Sequence, residues 1–414
     1  MALKGIRVLE MAGLAPAPFC GMILRDFGAS VIRIDRPRPQ LDPDRLCRGK
    51  RSVMIDLKKN RGVDLVRKMA NASDVLIEGY RPDSYMVPPT TCVPPIPCRR
   101  DGAHRPWPDV LLQSNPRLVY ARLTGFGQTG PASLMAGHDI NFIALSGQPP
   151  VPCLPVAIAK GQKPQPPVNL MGDFAGGGLL CALGICMALL ERERSGLGQV
   201  IDASMAKWRA SALQTEGSAY VGSFLWRTRS SKMALPIWVD DRGGNILDGG
   251  AHFYNTYETK DGKFMAVGAL EPNFYQLLLE GLGLSEDNVP QNCDWEKSKE
   301  LFAKVFRRKT QAEWCKVFDD TDSCVVPVLE FDRAFEHPHN AHRRSFMPCK
   351  DGPAVPGPSP VLSRTPAEPD MEEPYAGEHT VEILKEHGLS DVEVQELVDA
   401  EVVVARSHQL KSKL

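Results

Sequence analysis

Through the first half of this sequence, short apolar runs rich in β-branched residues alternate with stretches of helical spacing. The runs lie at residues 6–10, 30–35, 52–57, 74–78 and 118–123, and helices are expected near 16–27 and 60–70. Strands and helices that alternate in this way predict an α/β fold with a parallel sheet and covering helices. Residues 176–193 read as a further long helix and 199–203 as another strand.

After a Gly-rich link at 242–250 the pattern changes. Two alternating runs, 253–259 and 263–267, flank Lys260-Asp261-Gly262, an Asp-Gly turn that favours a hairpin. Helical spacing returns at 272–279, 295–307 and 311–318, and these elements together predict a smaller α+β domain. Residues 351–374 are Pro-rich and read as a linker before a helical tail at 377–404. The expected division is a large domain from 1–230 and 341–414, with the small domain at 231–340. Three stretches, 86–108, 148–162 and 206–215, have no packing period, and their flanks rejoin the pattern. They read as retained non-coding sequence or as surface loops, which cost little in closure entropy.

A net charge of −1, with charged residues at 24%, gives no footprint for nucleic acid. The apolar stretch 176–190 is too short and too Gly-rich for a bilayer span, so no membrane span is expected. Eleven cysteines, an odd number without a C-x-x-C pair, argue against a disulfide framework and against a zinc site. Reduced, buried thiols are expected instead. The N-terminus has no apolar core behind a basic start, so no secretory signal is expected. The last three residues, Ser412-Lys413-Leu414, match the peroxisomal address tripeptide and predict recognition by a peroxisomal import receptor.

Several groups compete for the active site. Gly125-Phe126-Gly127-Gln128-Thr129-Gly130 matches the dinucleotide fingerprint, but no Asp or Glu lies between Asp139 and Asp173 to bind a ribose, so a backbone turn is the better reading. A basic run, Arg45, Arg48, Lys50, Arg51, Lys58 and Lys59, with Arg33, Arg36 and Arg38 upstream, could receive nucleotide phosphates or be a solvated face. Arg36 directly follows a strand, where α/β proteins bind ligands, and is the expected phosphate contact. His138 stands beside Gly137, between a Gly-rich loop and an apolar run; a structural histidine is the default there. Asp173 precedes three glycines and a helix, and a plain N-cap would explain it.

Residues 136–142, 173–178, Glu10-Met11-Ala12-Gly13-Leu14-Ala15-Pro16 and Gly268-Ala269-Leu270-Glu271-Pro272 together resemble the α-methylacyl-CoA racemases of the family III CoA-transferase (CaiB/BaiF) superfamily. The resemblance covers nearly the whole chain outside the three aperiodic stretches. It implies a doubly wound, Rossmann-like large domain, a small α+β domain, and two subunits interlocked as a homodimer. It also implies that His138 and Asp173 are the catalytic acid and base and that Glu271 orients the histidine. Arg36, Met54, Ile55, Asp56, Leu57, Gly137, Asp139, Ile140, Asn141 and Phe142 fall where the family holds coenzyme A, with Arg81 an addition.

The implied substrates are branched fatty acyl and bile-acid-type CoA thioesters, in peroxisomes and also in mitochondria for some relatives. Inverting their α-carbon needs a proton removed from one face and delivered to the other, which a histidine and a carboxyl group on opposite sides can do. The enolate oxygen would be met by free N–H groups at the helix start near Asp173, and the three glycines would let the thioester approach closely. Coenzyme A enters as part of the substrate, and no metal or other cofactor is expected. The alternatives are a CoA-transferase with Asp173 as nucleophile and an inactive acyl-CoA binder.

Overall fold

The computed structural model describes residues 1–37, 45–81, 107–145, 169–205, 243–349 and 352–405. The three aperiodic stretches lie outside these residues, apart from the last two positions of the first, as do Arg38 and the C-terminal tripeptide. The chain forms two compact units, one from the described residues of 1–148, 168–221 and 355–414, the other from those of 222–354. The return to the large unit falls near residue 355, beyond the expected 341.

In the large unit, β1 (Arg7–Met11), β2 (Ser30–Asp35), β3 (Arg51–Ile55), β4 (Val75–Glu78), β5 (Val119–Thr124) and β6 (Val200–Ser204) are all parallel. Their spatial order is β3-β2-β1-β4-β5-β6, with a short terminal strand, Val403–Val404, antiparallel to β3. The tail read as helical therefore holds two helices, Thr380–Glu386 and Asp391–Asp399, and ends as an edge strand. Likewise the expected linker contains a strand, Gly352–Pro356.

Successive strand residues point to opposite faces, and here both faces are covered. Leu9, Ile32, Val53 and Leu76 share one core with α2 (Asn60–Asn71) and α3 (Trp107–Ser114). Val8, Val31, Val75 and Val119 share the other with Cys20 and Leu24 of α1 (Pro16–Asp26) and Ile185 of α5 (Leu180–Ser195). A sheet buried on both sides is why its strands read as continuous apolar runs.

Five members of the basic run, Arg33, Arg48, Lys50, Arg51 and Lys59, make internal contacts, while Arg45 and Lys58 are exposed. Lys50 donates to both oxygens of Glu10 (2.9 and 2.7 Å) and to Pro18 O (2.9 Å), and both charged side chains are fully buried. Arg48 pairs with Asp26, Arg51 with Glu382 and Glu386, and Arg33 with Asp35. Lys59 reaches the carbonyls of Ala400 and Glu401.

The small unit is built on the antiparallel order β7 (Tyr254–Glu258), β8 (Phe264–Gly268), β9 (Val325–Val328). The Asp-Gly turn closes as expected: Gly262 sits at φ 72° and donates to Thr259 O. Tyr275, Phe302, Phe306, Trp314 and Phe318 of the three following helices fill the core behind the sheet.

Inside that core His252 is fully buried, with Nε2 2.8 Å from Tyr275 Oη. Tyr275 donates its own hydrogen to Val289 O, so the histidine donates to it and Nδ1 is left without a partner. Burial, helped by the charge of Lys299, pushes its pKa down to about 4. The unfolded chain takes up this proton near pH 6.5 and the folded chain does not, so stability is complete above that value and falls as the pH drops towards 4. At roughly 1.4 kcal/mol per unit, the loss is of order 3 kcal/mol. His252→Gln, which keeps a donor for Tyr275, should flatten the decline of the unfolding midpoint between pH 7 and pH 4.5; an unchanged decline would assign it to other groups.

Candidate active site

The strand order reverses between β1 and β4, and in open α/β sheets ligands bind beyond the C-terminal ends of the strands at such a switch point. A cavity of about 810 Å³ lies there. Ala12, Gly13 and Leu14 follow β1 into its wall, Arg36 follows β2, Gly79, Tyr80 and Arg81 follow β4, and Gly125 and Phe126 follow β5. His138 and Asp173, read from motifs 35 residues apart, line this one cavity.

His138 caps α4 (Asp139–Leu145). Its carbonyl accepts from the N–H of Asn141 and Phe142, and its own N–H donates to Asn141 Oδ1 at 3.0 Å. This reach-back from the third helical residue fixes the backbone and leaves the imidazole exposed at the cavity. Gly125 and Gly137 make room for Phe142: a Cβ on them would lie 2.1 and 2.8 Å from its ring. The G-x-G-x-x-G segment is a turn, with Gly127 at φ 75°, Gly130 at φ 99° and Gln128 N–H donating to Asp202.

Asp173 stands within a π-helical segment, Leu170–Leu179, that runs directly into α5, so the helix begins well before the expected residue 176. The continuous helix Leu170–Ser195 is long and apolar enough to cross a membrane, but its buried face packs on α1 and the sheet, as a core helix does. The N–H groups of Gly172 and Asp173 both donate to Asp139 Oδ1 at 2.8 Å. They are therefore not the free donors expected for an enolate. Two of the three glycines serve packing: a Cβ on Gly178 would lie 2.7 Å from Pro16 O, and one on Gly177 2.9 Å from Met205 Cγ. They let α1 and Met205 pack closely.

The Asp173 carboxyl is raised above the usual carboxylate range, first by burial and then by the charge of Asp139. A hydrogen bond from Asn169 and the charge of a protonated His138 pull the other way. Asp139 is raised as well, by burial, against the two backbone donors.

The coenzyme A contacts divide. Arg36, Arg81, Gly137, Asn141 and Phe142 line the cavity, and Arg81 donates to Leu134 O. Met54 and Ile55 do not; their side chains are buried in the sheet core, Leu57 packs against it, and Asp56 accepts from Lys58 N–H. Asp139 is 5% exposed with its carboxylate turned to the helix, and Ile140 is exposed off the wall. Glu271 caps a helix of the small unit, Pro272–Leu282, and is exposed. Among the described residues no group of three or more His, Cys, Asp or Glu side chains is placed to hold a metal ion.

Sequence reasoning did not find the clamp by Asp139, because nothing in the order of residues shows that a carboxylate reaches an element 33 positions away. The His138-x-x-Asn141 spacing was a usable signal for the cap.

CoA-transferase family III matches residues 3–86 and 107–380. The chain belongs to that family. The break at 87–106 falls inside the first aperiodic stretch. Among family III relatives, the chain is 49% identical to the alpha-methylacyl-CoA racemase of Mus musculus and 48% identical to that of Homo sapiens, over the whole of both chains in each comparison. It is 27% identical to the succinyl-CoA–L-malate CoA-transferase beta subunit of Chloroflexus aurantiacus, over 97% of this chain and 98% of that one. Its fold resembles that of a CAIB/BAIF family protein from Brucella suis, with a TM-score of 0.67, 21% identity and coverage of 93% and 99%.

Proposed function

We propose that the chain is an α-methylacyl-CoA racemase, an isomerase that inverts the α-carbon of branched acyl-CoA thioesters by moving one proton through His138 and Asp173. The reading rests on one observation: an exposed imidazole and a carboxyl group raised by burial open into the same cavity. A carboxyl that holds its proton more readily than usual can act as acid on one pass and as base on the other. Full-length similarity to two racemases sets this reading above CoA transfer.

Arg36 and Arg81 supply positive charge for the phosphates of coenzyme A at the cavity mouth. The acyl chains are those of branched fatty acids and bile-acid intermediates, and the scheme uses no metal or redox cofactor. Glu271 orients His138 in the working enzyme. The terminal Ser412-Lys413-Leu414 supports delivery to the peroxisome by its import receptor, with the mitochondrion a second location. A homodimer is supported by α5, where Leu183, Met187 and Leu190 form an exposed apolar stripe, Met187 being 59% exposed.

The test supplies one pure epimer of a 2-methylacyl-CoA and no free acid. Both epimers should appear, and a thioester that changes only once an acceptor acid is added would mark a transferase.

A further inference from the structure

We propose that Asp139 is a positioning residue that ties the two proton-transfer elements together and sets its negative charge beside the Asp173 carboxyl, rather than a contact for coenzyme A. The inference rests on the racemase reading and deepens it. Asp139 directly follows His138 in the chain, so its backbone belongs to the histidine's element. Its side chain belongs to the other: one oxygen, Oδ1, accepts from both Gly172 N–H and Asp173 N–H at 2.8 Å. A single buried carboxylate thus fixes the position of the imidazole's backbone against that of the carboxyl group.

Two further features show that the contact is built. Gly172 is needed for it, since a Cβ there would lie 2.5 Å from Oδ1. The π-helical segment places two consecutive N–H groups on one acceptor, and such segments recur at functional sites. The carboxylate is buried away from the cavity wall, so it cannot meet substrate directly.

The charge has its own consequence. A negative Asp139 beside Asp173 disfavours ionisation of Asp173, adding to burial. Among the described residues, the other charged groups near this segment are few. His138 faces it from the α4 cap, and Arg36 and Arg81 stand on the cavity walls. On α1, Asp26 is paired with Arg48 and Arg25 donates to Gly49 O. On β5 Arg122 pairs with Glu78, and on β6 Asp202 accepts from Gln128 N–H. The charges of α5 are at its far end, Glu191–Arg194.

Two substitutions separate clamp from charge. Asp139→Asn keeps an oxygen for both N–H groups and removes the charge, so Asp173 ionises more readily. The acid limb of its pH–rate profile should move to lower pH, with KM unchanged. Asp139→Ala removes the clamp as well and should lower kcat by roughly tenfold to a hundredfold, with KM within about threefold. A profile for Asp139→Asn that superimposes on the parent, or a rise in KM with kcat unchanged in either variant, overturns the proposal. If Asp139→Ala does not fold, the Asp139→Asn profile decides alone. If Asp139→Asn does not fold either, the residue serves the fold and the proposal fails. His138→Ala keeps the two failures apart: if it exchanges normally, the racemase reading falls, whereas a dead His138→Ala beside an unmoved Asp139→Asn profile removes only the role of Asp139.

Discussion

Replacing His138 with alanine is expected to lower exchange of the substrate α-hydrogen by roughly 10²- to 10⁴-fold, the usual worth of a positioned proton-transfer group. Affinity for acyl-CoA should stay nearly intact. The imidazole is exposed at the cavity, while its backbone is held by Asn141 and by the first turn of α4, so truncation removes chemistry and not structure. Asp173→Ala should fall by a similar factor but unevenly, losing exchange from one epimer more than from the other, because each group serves one face. Equal loss from both epimers contradicts the two-base assignment, and full activity of His138→Ala removes it.

The largest effect on stability is expected at Lys50. Its ammonium makes three hydrogen bonds inside the protein, two to Glu10 and one to Pro18, with no solvent on either partner. Lys50→Met takes the buried ammonium away from the Glu10 carboxylate, and breaking a buried pair from one side costs about 3–5 kcal/mol. Replacing both residues by methionine should recover most of that loss, because the cost lies in burying one charge without its opposite. Gly21 carries the imprint of the same pair: a Cβ there would lie 1.7 Å from Glu10 Oε2. Urea unfolding of the single and double variants reads the difference, and a single-variant cost below about 1 kcal/mol would mean that Glu10 finds water or another partner. The pair also bears on function, since Pro18 lies in the first turn of α1, just after the segment Ala12–Ala17 that walls the cavity.

What the sequence disclosed was local in origin. The strands of the large unit were legible because both of their faces are buried, and the hairpin at Gly262 because an Asp-Gly turn encodes its own geometry. His138 and Asp173 were found by motif, and the fold brings both to one cavity. What stayed hidden depended on distance along the chain. Arg51 meets Glu386 across 335 positions, and Lys50 meets Glu10 across 40, so much of a run of charge that looked like a phosphate site is internal pairs, while Arg36 lines the cavity. Val403 pairs with Ile55 at the sheet edge, where helical spacing had suggested more helix. Of the three glycines after Asp173 that looked made for a ligand, Gly177 and Gly178 admit Pro16 and Met205. A missing side chain shows that something comes close, but not what.

In the proposed reaction a proton leaves and returns at one carbon without any transfer of coenzyme A. The direct measurement incubates the full-length protein in heavy water with a single 2-methylacyl-CoA and no acceptor acid, and follows the α-carbon by mass or NMR. Deuterium should enter at that position as the opposite epimer accumulates. A thioester that keeps its α-hydrogen, recovered unchanged from active, folded protein, would contradict the account.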